Sequence, residues 1–242
     1  MNLCIDWGNT NVKAAIFNND VLQKSIHVSE ENSLKQIAGL IDTYKPAKAI
    51  LCSVVNENND ELTFLLKERV ASFIKLDGFT RVPINNAYGT PETLGPDRLA
   101  LVTAAYILHP GKNNLVVCAG TCLTYNFIQK SKTFRGGAIA PGMNMRLRAM
   151  HEFTGRLPEV SADGDLLLLG YDTETGMRSG AVNGMAAEID GMIREYENNY
   201  ADFNAILTGG DGAFFADKIK SKIFADPDLL LKGLNIIANY NV

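Results

Sequence analysis

Apolar positions in the first third of the chain switch between two periods. Asn2 to Asp6, Asn11 to Phe17 and Val21 to Val28 are short apolar or alternating runs, separated by Trp7-Gly8-Asn9-Thr10 and by Asn18-Asn19-Asp20. Glycine, asparagine and aspartate in those breaks favour tight turns, so the pattern predicts a three-stranded β-meander. The period lengthens to that of a helix over Leu34 to Tyr44 and returns to a β-branched strand over Ala49 to Val55. It lengthens again through Leu62, Leu65, Leu66 and Val70, and shortens for a strand over Ser72 to Leu76. Strands and helices interleaved in this way make a mixed α/β layer fold.

A loop rich in proline and glycine, Asn85 to Leu94, leads into Gly95-Pro96-Asp97-Arg98 and an apolar helix from about Leu99 to Leu108. His109-Pro110-Gly111 stops that helix and reads as a domain boundary. A second meander then begins, with strands over Leu115 to Ala119, Leu123 to Gln129 and Phe134 to Ile139. Asp6-Trp7-Gly8-Asn9-Thr10 and Cys118-Ala119-Gly120-Thr121-Cys122 stand 112 positions apart, each between a buried strand and an amphipathic one. The repeat predicts two related α/β domains, 1–112 and 113–242, facing each other across a cleft that suits a nucleotide. From Gly142 onward the pattern is mainly helical, with one strand over Ala205 to Leu207 ending in Thr208-Gly209-Gly210; the last helix is free to pack back on the first domain.

Composition narrows the partners more than the fold. The 242 residues are 46% hydrophobic and 21% charged, and the length fits one large domain or two compact ones of about 100 to 130 residues. The formal net charge is −4 and the lysines and arginines are scattered, which argues against a nucleic-acid surface and for a small ligand. No apolar run approaches the roughly 20 residues a membrane span requires, and MNLCIDWGNT lacks the basic-then-apolar order of a signal peptide. A cytoplasmic protein without a membrane partner is expected. Cys4, Cys52, Cys118 and Cys122 lie in apolar, strand-like surroundings and read as reduced, buried thiols, while His27, His109 and His151 are too scattered to form a metal site.

Three turn segments and one acid–base pair carry the candidate chemistry. In Asp6-x-Gly8-Asn9-Thr10 a carboxylate ends a buried strand and a glycine turn follows. Gly8 lets backbone N–H groups approach phosphates, Asn9 and Thr10 donate hydrogen bonds, and Lys13 adds positive charge. Asp6 suits magnesium held through water, because a hard cation beside a triphosphate takes oxygen ligands. A plain hairpin capped by an Asx turn has the same sequence. Gly120-Thr121-x-x-Thr124 offers donors to the same phosphates, and Thr208-Gly209-Gly210 suits a purine or ribose; each also reads as an ordinary turn. Gly95-Pro96-Asp97-Arg98 sets a carboxylate beside a guanidinium at a helix start. Phosphoryl transfer to an alcohol needs such a carboxylate to take the proton and cationic donors for the moving phosphoryl. With an ordinary pKa of about 3.9, Asp97 serves because a loose transition state releases its proton late. Gly136-Gly137-x-Ile139-x-Pro141-Gly142 is a further close-approach loop, Asp163 and Asp165 read as solvated turn residues, and Gly184 to Tyr196 reads as a core or dimer-surface helix.

In order and spacing, Asp6-Trp-Gly-Asn-Thr10, Gly95-Pro-Asp-Arg98, Gly120-Thr121-x-x-Thr124 and Gly136-Gly-x-Ile-x-Pro-Gly142 together resemble the motif set of the type III pantothenate kinases. Tyr88, Thr154-Gly-Arg-Leu-Pro158 and Asp172-Thr173 ahead of Ser179-Gly180 extend the resemblance over about residues 1 to 212. It implies a duplicated ribonuclease-H-like, actin-like ATPase fold, a homodimer, and transfer from ATP to pantothenate to give 4'-phosphopantothenate, the first step of coenzyme A biosynthesis. Carried over by position, Asp6, Trp7, Gly8, Asn9, Thr10, Asn11, Val12, Lys13 and Thr121 bind ATP. Tyr88, Gly95, Pro96, Asp97 and Arg98 meet pantothenate, Thr173 reaches it across the dimer, and Asp97 accepts the proton. The family's monovalent cation, K+ or NH4+, rests on an aspartate where this chain has Cys118, and Asn126 replaces a second aspartate. A neutral thiol is a poor ligand for a hard cation, so a weakened cation requirement is expected. Another actin-like small-molecule kinase, for example one acting on a sugar, and a silent ATP-binding regulator are the competing readings; Tyr88 and the retained Asp97 count against them.

Overall fold

Strand β1 (Asn2–Trp7) sets the plan of the first half of the chain in the computed structural model, which describes residues 1–8, 11–54 and 60–241. Period-2 alternation puts Leu3, Ile5 and Trp7 on one face and Asn2, Cys4 and Asp6 on the other. The first face packs with Val12, Ala14 and Ile16 of β2 (Val12–Asn18) against Ile37, Leu40 and Ile41 of α1 (Glu30–Tyr44). β3 (Val21–Val28), β4 (Lys48–Ser53) and β5 (Ser72–Lys75) complete a five-stranded sheet ordered β3-β2-β1-β4-β5, with α2 (Asp60–Arg69) connecting the last two. The first three strands are an antiparallel meander, as the turn chemistry predicts, and β4 and β5 join in parallel.

The 85–94 loop contains a two-residue strand, β6 (Asn85–Asn86), and a 3-10 turn over Pro91–Thr93. Helix α3 (Pro96–Leu108) begins three residues earlier than apolar spacing predicts, because Pro96 at its first position has no N–H to leave unpaired. α1 likewise starts at Glu30, four residues ahead of its first apolar position, with acids in a first turn that favours them.

The second half repeats the plan. β7 (Asn113–Ala119), β8 (Cys122–Ile128) and β9 (Thr133–Pro141) are followed by α4 (Met143–Glu152) and α5 (Thr173–Asn199). β10 (Phe203–Thr208), α6 (Gly212–Ala216), β11 (Phe224–Ala225) and α7 (Leu229–Tyr240) complete the chain. The strand order β9-β8-β7-β10-β11 matches β3-β2-β1-β4-β5 strand for strand, with β10 parallel to both β7 and β11. Cys118 is the penultimate residue of β7 as Asp6 is of β1, so the 112-residue repeat is a repeat of topology. β11, two exposed residues long, carries no hydrophobic pattern and is not predicted.

The chain divides into two compact units, Met1–Pro110 with Ser131–Arg135 and Asp228–Val242, and Gly111–Lys130 with Gly136–Pro227. In the first, α7 covers the second face of β1 and lies against α3. A side chain on Gly233 would place its Cβ 2.1 Å from the Ala100 carbonyl oxygen, so glycine permits that crossing. Asn2 Nδ2 donates to Asn235 Oδ1 at 2.8 Å and to Asn239 Oδ1 at 2.7 Å, fixing the helix to the first strand. In the second unit, α5 packs Val182, Met185, Ile189 and Ile193 on Leu115, Val117, Tyr125 and Leu207. Within the stretch read as core or dimer surface, Ile189 and Ile193 are buried and Ala187 is exposed. The α5 N-terminus carries a capping box in which Asp172 Oδ1 accepts from the Thr175 N–H at 2.8 Å.

Candidate active site

The first unit gathers its reactive groups where the second face of β1 meets the N-terminus of α3. Ladder register sets Asp6 opposite Lys13 of β2 and beside Cys52 of β4, so the carboxylate lies in one row with an ammonium and a thiol. Asp97 occupies the first turn of α3, where the Arg98 backbone N–H hydrogen-bonds its carboxylate. Gly95 leaves room for that group: a Cβ there would stand 2.5 Å from Asp97 Oδ1.

Asp6 and Asp97 feel each other's charge. Burial first, and the Asp97 carboxylate second, push the Asp6 carboxyl up to about 7 against the opposing pull of Lys13. Burial also raises Asp97, held back by the Arg98 N–H and guanidinium. This corrects the expectation of an ordinary carboxyl at Asp97, which is half-buried and partly desolvated in the first turn of α3. The buried Cys52 thiol is raised by burial and by both carboxylates, and so stays neutral.

Arg98 is 4% exposed, and its Nη1 donates to Tyr88 Oη at 3.4 Å with Cζ 5.4 Å from the tyrosine ring centroid. Asp6, Lys13, Tyr88, Gly95, Pro96, Asp97 and Arg98 are thus one cluster within one unit. The Gly8 N–H donates to the Asn11 carbonyl at 3.2 Å, closing the β1–β2 turn, whose Asn9 and Thr10 lie outside the described residues. The side chains of Trp7 and Val12 go to the core, and the two residues pair with each other at the end of the β1–β2 ladder. Trp7 also lines a cleft of about 510 Å³ with Glu30, Ser33, Leu34, Asp60 and Glu61, whose carboxylates do not suit a phosphate.

In the second unit, separate glycine signals converge on one turn. The Gly120 N–H donates to the Cys122 carbonyl at 3.1 Å, and the Gly142 N–H to the Thr121 carbonyl at 3.2 Å. A Cβ on Gly142 would stand 2.0 Å from the Gly120 carbonyl oxygen, and one on Gly209, whose φ is +97°, 2.2 Å from that of Ala119. The Asp211 N–H donates to the Ala119 carbonyl at 2.9 Å. Thr121 is exposed at the tip of this packed turn. Cys118 and Cys122 are half-buried, unlike the fully buried Cys4 and Cys52, because the end of a hairpin has no layer above it; this corrects the expectation of four buried thiols. Cys118 stands in register with Thr124 and Thr208, and buried Asn126 donates through Nδ2 to Thr124 Oγ1 at 2.9 Å. Thr173 is exposed at the first position of α5. Asp163 and Asp165 are exposed loop residues as expected, and among the described residues no group of three or more His, Cys, Asp or Glu could hold a metal ion.

Sequence reasoning missed Cys52 and Phe134. The Phe134 ring stacks on Tyr88 with centroids 6.0 Å apart and planes 12° apart. Cys52 reaches the site through parallel strand pairing and Phe134 through the β6–β9 pairing, and neither signal is local.

Two copies of a meander joined to a parallel strand pair, one bearing a carboxylate at the end of its first strand, define an actin-like kinase fold. Solved structures agree on the fold. A Baf-family protein from Campylobacter jejuni aligns with TM-score 0.63 and 22% identity over 99% of this chain and 98% of that one. The inorganic polyphosphate/ATP-glucomannokinase from Arthrobacter sp. strain KM aligns with TM-score 0.52 and 16% identity over 99% and 98%. A family model described as type III pantothenate kinase matches residues 2–195. The chain is 45% identical over 241 residues to a type III pantothenate kinase of Bacteroides fragilis (strain YCH46), covering 100% of this chain and 98% of the relative. It is 44% identical to that of Phocaeicola vulgatus, covering 100% and 99%. The chain belongs to the type III pantothenate kinase family.

Proposed function

We infer that the chain transfers the terminal phosphoryl group of ATP to the hydroxyl of pantothenate, giving 4'-phosphopantothenate for coenzyme A biosynthesis. The observation that carries the mechanism is the Asp97–Arg98 pair at the start of α3, electrostatically coupled to Asp6. Asp97 accepts the hydroxyl proton; its burial makes it a stronger base than an exposed aspartate once ionised. Arg98 neutralises charge on the transferring group, and Tyr88, Gly95 and Pro96 shape the acceptor site with it. ATP phosphates are taken by the Asp6–Lys13 segment and by Thr121.

Magnesium fits this donor set: Asp6 is a hard oxygen donor whose charge Asp97 already disfavours, so a cation relieves a repulsion the fold contains. Held by Asp6 through water, it would supply charge neutralisation on the phosphates. A monovalent cation at Cys118 does not fit, since that position presents a thiol and the Asn126 amide nitrogen donates to Thr124 Oγ1 and to the Val116 carbonyl. Turnover is therefore proposed to be weakly dependent on potassium or ammonium.

A homodimer is proposed on the α4–α5 connection, where Phe153 (84% exposed), Leu168 (89%), Leu169 (86%) and Tyr171 (72%) precede Thr173. Cover by a second copy would bury these side chains and bring Thr173 to the partner's pantothenate. No helix among the described residues is long and apolar enough to cross a membrane. A cytoplasmic location is proposed from the use of ATP.

ADP formation measured with and without pantothenate, for the wild type and Asp97→Asn, tests the reading. Pantothenate-dependent turnover is expected, reduced about 10²- to 10⁴-fold in the variant with nucleotide binding retained. ADP formation indifferent to pantothenate refutes the substrate, an active variant refutes the base, and strong potassium activation refutes the reading of Cys118.

A further inference from the structure

We propose that Phe134 is a positioning residue for the pantothenate site, acting through Tyr88 and, through Tyr88, on Arg98. The inference rests on the reading of those two residues as the acceptor contacts.

The loop that bears Tyr88 has little structure of its own. Asn85, Ala87, Gly89 and Thr90 are exposed, and the segment is held by strand pairing to residues more than forty positions later. The Asn85 N–H donates to the Lys132 carbonyl at 2.8 Å and the Ala87 N–H to the Phe134 carbonyl at 2.9 Å, on either side of the Asn86–Phe134 register pair. Asn86 then spends its side chain on the same loop: Oδ1 accepts from the Tyr88 N–H at 3.2 Å and Nδ2 donates to the Gly78 carbonyl at 3.0 Å. The backbone of Tyr88 is thereby registered to Phe134.

The side chains repeat that registration. Phe134 is fully buried and reaches no solvent, so it meets no substrate. Its ring lies nearly parallel to Tyr88 at an offset-stacking distance, and the same tyrosine ring receives the Arg98 guanidinium. A core position asks only for apolar volume, which leucine or methionine also provides. A flat partner ring does more, because it selects one plane for Tyr88. That plane sets where Tyr88 Oη meets Arg98 Nη1, 3.4 Å away. Phe134 therefore acts on acceptor binding and not on ATP or on proton transfer.

Steady-state kinetics and thermal melting of Phe134→Leu, Phe134→Tyr, Tyr88→Ala and the double variant Tyr88→Ala/Phe134→Leu test this. Phe134→Leu is expected to raise KM for pantothenate about three- to ten-fold, the range an offset aromatic pair is worth, leaving kcat and KM for ATP within about two-fold. Phe134→Tyr keeps the ring but buries a hydroxyl, so it is expected to melt lower while holding the wild-type KM for pantothenate. A purely structural Phe134 would give the opposite order, with KM following the melting temperature, and that result overturns the inference. If Tyr88→Ala leaves KM for pantothenate unchanged, the assignment of Tyr88 falls and the inference with it. If Tyr88→Ala raises KM and Phe134→Leu does not, the inference alone falls. In the Tyr88→Ala background the Phe134→Leu change is expected to add nothing, and additive effects also refute it. Should Phe134→Leu fail to fold, Phe134→Met takes its place with the same expectations.

Discussion

Replacing Asp6 by asparagine should make the protein more stable and less able to bind nucleotide, and the structure fixes both the size and the pH of the gain. The folded carboxyl titrates at about 7, against an ordinary value of 3.8. A raised folded pKa means that the native state favours the protonated acid. Its contribution to stability is whole below about pH 4, is lost as pH rises through about 7, and leaves a constant deficit above that. At 1.36 kcal/mol per unit the deficit is at most about 4 kcal/mol, and the solvent that still reaches Asp6 trims it to roughly 2–4 kcal/mol. Denaturant unfolding of the wild type and Asp6→Asn at pH 5 and pH 8.5 reads it directly. The variant should lead by that amount at pH 8.5 while its affinity for magnesium–ATP collapses, and at pH 5, where the unfolded carboxyl is already ionised and the folded one is not, its lead should shrink to about 40% of that. Equal stability at both pH values would show that Asp6 is solvated like any surface carboxylate, and the electrostatic account of the site would fail.

Two glycines give further tests. Gly142→Ala sets a Cβ 2.0 Å from the Gly120 carbonyl oxygen, a backbone atom that cannot swing aside. The Gly120–Thr121 turn must shift, raising KM for ATP by at least about ten-fold with KM for pantothenate little changed, as steady-state kinetics will read. Gly233→Ala meets the Ala100 carbonyl oxygen at 2.1 Å and wedges α7 away from α3. It should cost about 1–3 kcal/mol in unfolding free energy and lower the melting temperature, with kcat near that of the wild type.

What the sequence disclosed was whatever is local. The meander strands, the turn residues between them and the acid–base pair in the first turn of α3 are each written within ten residues, because period-2 alternation and turn chemistry act at that range. Cys52 joins Asp6 only through parallel pairing of β1 with β4, and the glycines at 142 and 209 meet the Gly120 turn only after the chain has passed through several elements. Burial at Asp97 was likewise hidden, since proline and aspartate at a helix start read as a surface cap. The half-exposed Cys118 and Cys122 show the converse error: apolar neighbours in sequence do not bury a residue at the end of a hairpin.

The docking of α7 on β1 bears on how the molecule is born. Ribosomal synthesis delivers β1 more than two hundred residues before Leu229–Tyr240, yet Asn2 bonds to Asn235 and Asn239, and the face bearing Cys4 is closed by that helix. The nascent first unit therefore waits, with one side of its sheet uncovered, until Leu229–Tyr240 has been made. The second unit, made of one stretch broken only at 131–135 and lying wholly ahead of that helix in the chain, is the part able to finish first.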